Sequence, residues 1–326
     1  MHTPAIETAL TAVPRIAPRA PLGDFSRIAL IGAPTDVGAG ARGGSMGPEA
    51  LRVAGLQAAL EALGLPVADR GDVAGPANPL RPPVEGYRHL DEVVTWCQAV
   101  RDAVGAALAA GELPVVLGGD HSLAIGSVAA AARHCRRVGK ELRVLWLDAH
   151  ADYNVPATSP SGNIHGMPAA VISGHGHPRL LALGDEAPMV APRSIVQVGV
   201  RSVDPAEKAL VVRNGSVTFD MRQVDELGMR RVMERALDGL DRSRVHLHVS
   251  FDVDFLDPAI APGVATDVPG GPDYREAQLC MEMLADTGAV GSVDVVELNP
   301  AVDLRNRSAK LAVELVQSLF GKAILA

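Results

Sequence analysis

Apolar residues gather into short runs along the chain: 27–32 (RIALIG), 113–118 (LPVVLG), 142–147 (LRVLWL), 194–199 (SIVQVG), 245–251 (VHLHVSF) and 292–298 (SVDVVEL). Rich in Val, Ile and Leu, they predict strands, and weaker runs near 66–70 and 216–219 predict two more. Between them, apolar residues recur at helical spacing over 48–63, 89–110, 122–137, 205–213, 228–240, 273–286 and 307–319. Pro48 and Glu49 open the first of these, where a missing N–H does no harm and a negative charge meets the helix dipole, and Gly64 follows its last apolar residue. Strands alternating with helices make βα units, hence an α/β fold: a three-layer αβα sandwich around a mainly parallel sheet of about eight strands.

Polar chemistry sits where the apolar runs stop. Gly118-Gly119-Asp120-His121, Asp148-Ala149-His150-Ala151-Asp152 and Ser250-Phe251-Asp252-Val253-Asp254 each follow or close a predicted strand, as does Glu297. Open α/β sheets bind ligands beyond the carboxyl ends of their strands. In extended chain, residues i, i+2 and i+4 point the same way, so Asp148, His150 and Asp152 converge, and so do Asp252 and Asp254. With His121 they make six candidate ligands for a pair of divalent ions, and the four aspartates match the charge of such a pair. Carboxylates with some imidazole suit Mn²⁺ or a similar first-row ion better than zinc.

Composition narrows the field further. The chain has 326 residues, 48% of them hydrophobic, and a net charge of -8. Its Lys and Arg residues are scattered, which argues against nucleic-acid binding. Three widely spaced cysteines, Cys97, Cys135 and Cys280, offer no disulfide framework and fit a cytoplasmic protein. No uncharged apolar run is long enough to span a membrane. Residues 1–25 carry four prolines and read as a loose N-terminal arm, leaving 26–326 as a single catalytic domain because the ligand blocks spread from 118 to 254.

Some motifs read as structural. Gly38-Ala39-Gly40-Ala41-Arg42-Gly43 fits GxGxxG, but its first Gly follows the strand end by six residues and no second strand carries the acidic partner, so it reads as a flexible loop at the site's rim rather than a nucleotide loop. His175 and His177 read as parts of a solvated connector, and His246 and His248, alternating on one strand, as core residues.

The run Asp148-Ala-His-Ala-Asp-Tyr-Asn154, continuing through Ser159-Pro-Ser161-Gly-Asn163-Ile-His165-Gly-Met-Pro168, resembles the arginase branch of the ureohydrolases. So do Ser250–Asp254 with Asp257-Pro258, Gly270-Gly271 with Tyr274-Arg275-Glu276, and Val296-Glu-Leu-Asn-Pro300, and the resemblance runs from Ile28 nearly to the C-terminus. It implies hydrolysis of L-arginine to L-ornithine and urea by a hydroxide bridging two Mn²⁺ ions, with Co²⁺ or Ni²⁺ as other candidate ions. It assigns His121, Asp148, Asp152 and Asp252 to one ion and Asp148, His150, Asp252 and Asp254 to the other, with Glu297 anchoring the guanidinium and His165 as proton shuttle. Asn154, Ser161 and Asn163 would receive the α-carboxylate, with Ser159 and Thr266 nearby. Asp204 and Glu207 would meet the α-amino group, and Arg201 would serve as a structural ion-pair partner. The resemblance further implies a homotrimer or a homohexamer. Alternatives are a ureohydrolase acting on agmatine, guanidinobutyrate or a related guanidino compound, a non-catalytic relative, and a deacetylase-like single-zinc enzyme, against which His150 and Asp254 argue.

Overall fold

The structure, a computed structural model, describes residues 22–323. The expected arm lies outside the described residues up to position 21; its last four residues form a turn closed by the Phe25 N–H donating to the Leu22 carbonyl at 2.9 Å. In chain order the elements are β1 (Ile28–Gly32), α1 (Gly47–Val53), α2 (Leu56–Glu61), β2 (Val67–Asp72), α3 (Leu90–Ala109), β3 (Leu113–Leu117), α4 (Ala124–Val138), β4 (Glu141–Leu147), α5 (Pro168–Ile172), α6 (Pro178–Leu181), β5 (Ile195–Val200), α7 (Pro205–Asn214), β6 (Val217–Asp220), α8 (Met221–Leu227), α9 (Met229–Ala236), β7 (Val245–Asp252), α10 (Tyr274–Thr287), β8 (Val290–Val296) and α11 (Arg307–Leu319).

Among the described residues, eight strands form one sheet in the order β2-β1-β3-β8-β7-β4-β5-β6. Every pairing is parallel, so the mainly parallel sheet of the sequence reading is wholly parallel. Successive side chains alternate between its faces. Ile28 and Leu30 join a core under α1, α2 and α8–α11, whereas Ala29 and Ile31 join a second core under α3–α6. Central strands β7 and β8 are buried along their whole length, and the weak runs of the sequence turn out to be the half-exposed edges β2 and β6.

Departures from the expected elements have local causes. The helix expected over 48–63 breaks at Gly55, whose φ of 86° no helical residue adopts, giving α1 and α2. Met221–Leu227 forms a helix where loop was expected, nucleated by an Asp220–Gln223 capping box. The apolar C-terminal segment packs on the sheet: Leu315, Val316, Leu319 and Phe320 are all buried in the first core. Among the described residues no helix is long and apolar enough to cross a membrane.

Candidate metal centre and active-site cleft

Four neighbouring strands at the centre of the sheet, β3, β8, β7 and β4, deliver the polar blocks to one place. At the carboxyl ends of these strands lies a cleft of about 240 Å³ lined by His121, His150, Asp152, Asn154, Ser161, Asn163, His165, Asp204, Glu207, Asp252, Asp254, Thr266 and Glu297. Asp148, wholly buried, lies behind this lining. Every candidate site residue is therefore in the cleft or directly beneath it.

Its floor holds two overlapping groups of potential ligands. His121 Nδ1 lies 3.1 Å from Asp148 Oδ2, 3.2 Å from Asp152 Oδ2 and 3.1 Å from Asp252 Oδ2. His150 Nδ1 lies 3.0 Å from Asp254 Oδ2 and 3.5 Å from Asp148 Oδ1. The groups His121, Asp148, Asp252 and Asp148, His150, Asp254 each bring their ligand atoms close enough for one ion and share Asp148.

These side chains are in a costly environment for a cluster of like charges. Burial and the neighbouring Asp148 charge push the Asp152 carboxyl up to about 6, and burial together with Asp254 and Asp148 lifts Asp252 well above the usual carboxylate range. Burial alone would lower His150, but Asp254 and Asp148 outweigh it and hold the imidazole up at about 12. Two buried polar atoms, His121 Nδ1 and Asp152 Oδ2, make no hydrogen bond. Buried polar atoms seldom go without partners, and an imidazole nitrogen facing three carboxylates is the donor set of a divalent ion. These residues fit a metal pair.

Surrounding bonds fix the orientation of these candidate ligands. His121 Nε2 meets Ser250 Oγ at 2.8 Å, which directs Nδ1 at the cluster, and the His121 ring stacks on Trp146 at 4.2 Å. Trp146 Nε1 donates to Asp148 Oδ2 at 2.8 Å, and Thr266 Oγ1 donates to Asp254 Oδ2 at 3.1 Å. Thr266 thus lines the cleft with its hydroxyl engaged by a candidate ligand. Arg201 makes no ion pair among the described residues; its guanidinium donates to the carbonyls of Asp254 at 2.7 Å, Phe255 at 3.0 Å and Val268 at 2.8 Å, pinning the turn that carries Asp254. Ser250 and Trp146 are supports that the sequence did not reveal, since Ser250 and the Trp146 ring both meet His121 from a distant part of the chain, and Arg201 supports the site through carbonyls rather than the ion pair expected of it.

The walls carry the remaining candidates. Glu297 Oε1 accepts from the His121 backbone N–H at 2.7 Å and contacts His165 Nδ1 at 2.9 Å, which leaves Oε2 for a ligand. Burial pushes the His165 imidazole down, yet the Glu297 carboxylate prevails and lifts it to about 9. Asn154 Nδ2 donates to Asp204 Oδ2 at 3.0 Å. Glu207, buried, accepts the backbone N–H groups of Tyr153 at 2.7 Å and Asp204 at 3.0 Å, and burial raises its carboxyl to about 7.

Residues read as structural remain so. His246 Nε2 and His248 Nδ1 both meet Ser292 Oγ, at 2.9 and 2.8 Å, inside the core. His177 accepts the Arg179 N–H at the start of α6, and His175 meets Asn214 Oδ1 at 2.9 Å. Of the loop 38–43, Gly38, Ala39 and Gly43 are buried and Gly40–Arg42 are exposed, and the Gly38 and Gly43 N–H groups donate to Asp120 Oδ2 and Asp36 Oδ2.

The family model described as "Arginase family" matches residues 26–321. A protein named arginase from Brevibacillus brevis is 43% identical over 298 residues, covering 91% of this chain and 99% of its own length. The solved native structure of the arginase from Bacillus caldovelox superposes with a TM-score of 0.87 at 44% identity, covering 92% of this chain and 100% of that one. A structure titled as a hypothetical agmatinase from Burkholderia thailandensis is more distant, with a TM-score of 0.68 at 25% identity over 92% of this chain and 85% of its own.

Proposed function

The chain belongs to the arginase family, and from that membership we propose that it hydrolyses L-arginine to L-ornithine and urea with two divalent ions, manganese first among them. The observation that carries this reading is the pair of imidazole and carboxylate groups sharing Asp148 on the floor of the cleft. His121, Asp148, Asp152 and Asp252 would hold one ion, and Asp148, His150, Asp252 and Asp254 the other. Bound divalent ions acidify water and so supply a nucleophile at neutral pH.

The chain's own residues do the rest. Glu297 Oε2 accepts from the planar guanidinium and turns its carbon toward the cluster, a positioning effect that removes entropy from the reaction. An amine cannot leave as an anion, so a proton must reach it. His165, its Nδ1 on Glu297, donates that proton from Nε2. Asn154, Ser161 and Asn163 receive the α-carboxylate, and Asp204 and Glu207 the α-amino group. A cleft that satisfies a carboxylate disfavours agmatine, which brings none.

Urea release from arginine and from agmatine, with and without added Mn²⁺, tests the reading. Faster turnover of agmatine would sink it in favour of another guanidino substrate. The same proposal includes a homotrimer or homohexamer, which light scattering on the purified protein checks, and a cytoplasmic location, with which the three buried free cysteines agree.

A further inference from the structure

We propose that the glycine-rich loop 38–43 is the template that sets Asn163 and His165 together, and that Asp36 is the positioning residue that holds the loop in shape. This inference rests on the arginine reading of the cleft and explains a motif that the metal chemistry leaves unused.

The loop is fastened from several sides. Asp36 is buried, and its Oδ2 accepts the Gly43 N–H at 3.0 Å, Arg42 Nε at 3.1 Å and Ser45 Oγ at 3.2 Å. Its Oδ1 accepts Asn78 Nδ2 at 3.1 Å. Thus one carboxylate gathers the C-terminal end of the loop and ties it to the segment at 78. His89 Nδ1 donates to the Val37 carbonyl at 2.8 Å, and Asn299 Nδ2 donates to the Arg42 carbonyl at 3.1 Å. Charge-assisted bonds from a buried carboxylate to backbone are strong, so this conformation is held against the freedom glycine would otherwise have.

What the fastened loop touches is the substrate wall. The Gly38 carbonyl accepts the His165 backbone N–H at 3.1 Å, while the Gly38 N–H donates to Asp120 Oδ2 at 2.9 Å. Gly40 lies against the Asn163 side chain so closely that a Cβ there would sit 2.7 Å from Asn163 Nδ2. Asn163 Oδ1 is buried without a hydrogen-bond partner. The Asn163 amide is therefore held by the shape of the loop rather than by bonds of its own, and a methyl group at position 40 displaces it. Neither Asp36 nor Gly40 is among the candidate metal ligands, so the loop acts on the amino-acid end of the substrate and on the proton donor.

Wild type, Gly40→Ala and Asp36→Asn are compared with Mn²⁺ for metal content and for kcat and KM on arginine and agmatine. Metal content stays at the wild-type level in both variants. In Gly40→Ala the KM for arginine rises about tenfold with kcat little changed, because binding of the carboxylate is what the displaced amide loses. Agmatine kinetics keep their wild-type values in that variant. In Asp36→Asn the loop loosens, His165 shifts with it, and kcat on arginine falls about tenfold as well. Unmoved arginine KM in Gly40→Ala, or equal losses on both substrates, overturns the template role whatever the stability of the Asp36 variant. Metal lost from Asp36→Asn overturns the positioning role, since it marks general collapse. A wild type that prefers agmatine overturns the functional reading and this proposal with it, whereas one that prefers arginine with unmoved variants overturns this proposal alone.

Discussion

Asp148 belongs to both ligand groups and is the residue on which the two halves of the cluster meet. Around it, the division of labour can be tested one side chain at a time. Asp254 contributes to one group alone, so Asp254→Asn, a neutral amide being a poor ligand for a hard ion, should retain about one of two ions with the fold intact. Metal analysis beside a circular dichroism spectrum checks this, and two full ions would refute the assignment. Ser250→Ala removes the bond that aims His121 Nδ1, and metal affinity should weaken about ten- to a hundredfold. A titration of the metal-free protein with Mn²⁺ measures it, and an unaltered affinity would reduce Ser250 to a packing residue. The candidate ligands were legible in the sequence as closely spaced Asp and His residues at strand ends, although the chain bends there rather than staying extended: Asp254 lies in a 3-10 turn over Val253–Phe255, and Asp152 has a φ of 52°. Ser250, Thr266 and Arg201 were not legible in these roles, since a hydroxyl or guanidinium declares its partner only once distant strands are side by side.

At the scale of elements, the apolar runs marked the strands well because parallel strands buried on both faces have little choice of residue. Helix boundaries were harder. Apolar spacing continues from Leu51 through Leu56 and Leu60, and it concealed the turn at Gly55, where the chain passes through positive φ to lay two short helices on the same face of the sheet. No atom lies within 4 Å of a Cβ built at Gly55, so the cost of Gly55→Ala comes from backbone conformation alone. It should be about 1 kcal/mol, read as a lowered midpoint in urea unfolding. No loss would mean that the helical break tolerates a side chain. The capping boxes that begin α8 and α10 were present in the sequence as Asp220 with Gln223 and Asp273 with Glu276, yet only the second adjoined a long apolar pattern and drew a helix.

At the scale of the whole molecule, buried titratable groups couple stability to pH. His246 lies in the core; burial, aided by the charges of His134, His248 and Lys140, pushes its imidazole down from 6.5 to about 3. A depressed value means that the folded state holds the ring neutral while the unfolded chain takes up a proton, so stability is present above pH 6.5 and is lost as pH falls toward 3. His246→Gln should flatten the fall of unfolding free energy in that window, and denaturant curves at several pH values compare the two. An identical slope would show that other groups govern the acid limb. The sheet order has a further effect on how the molecule comes into being. Strands β7 and β8 are made late but sit between β3 and β4, so a ribosome-bound chain ending before residue 245 has two half-sheets with a gap where Asp252, Asp254 and Glu297 belong. Closing contacts of such long sequence separation is slow. Metal capture therefore reports a finished chain: in refolding, Mn²⁺ uptake should coincide with the slowest structural phase, and uptake ahead of it would contradict this order of assembly.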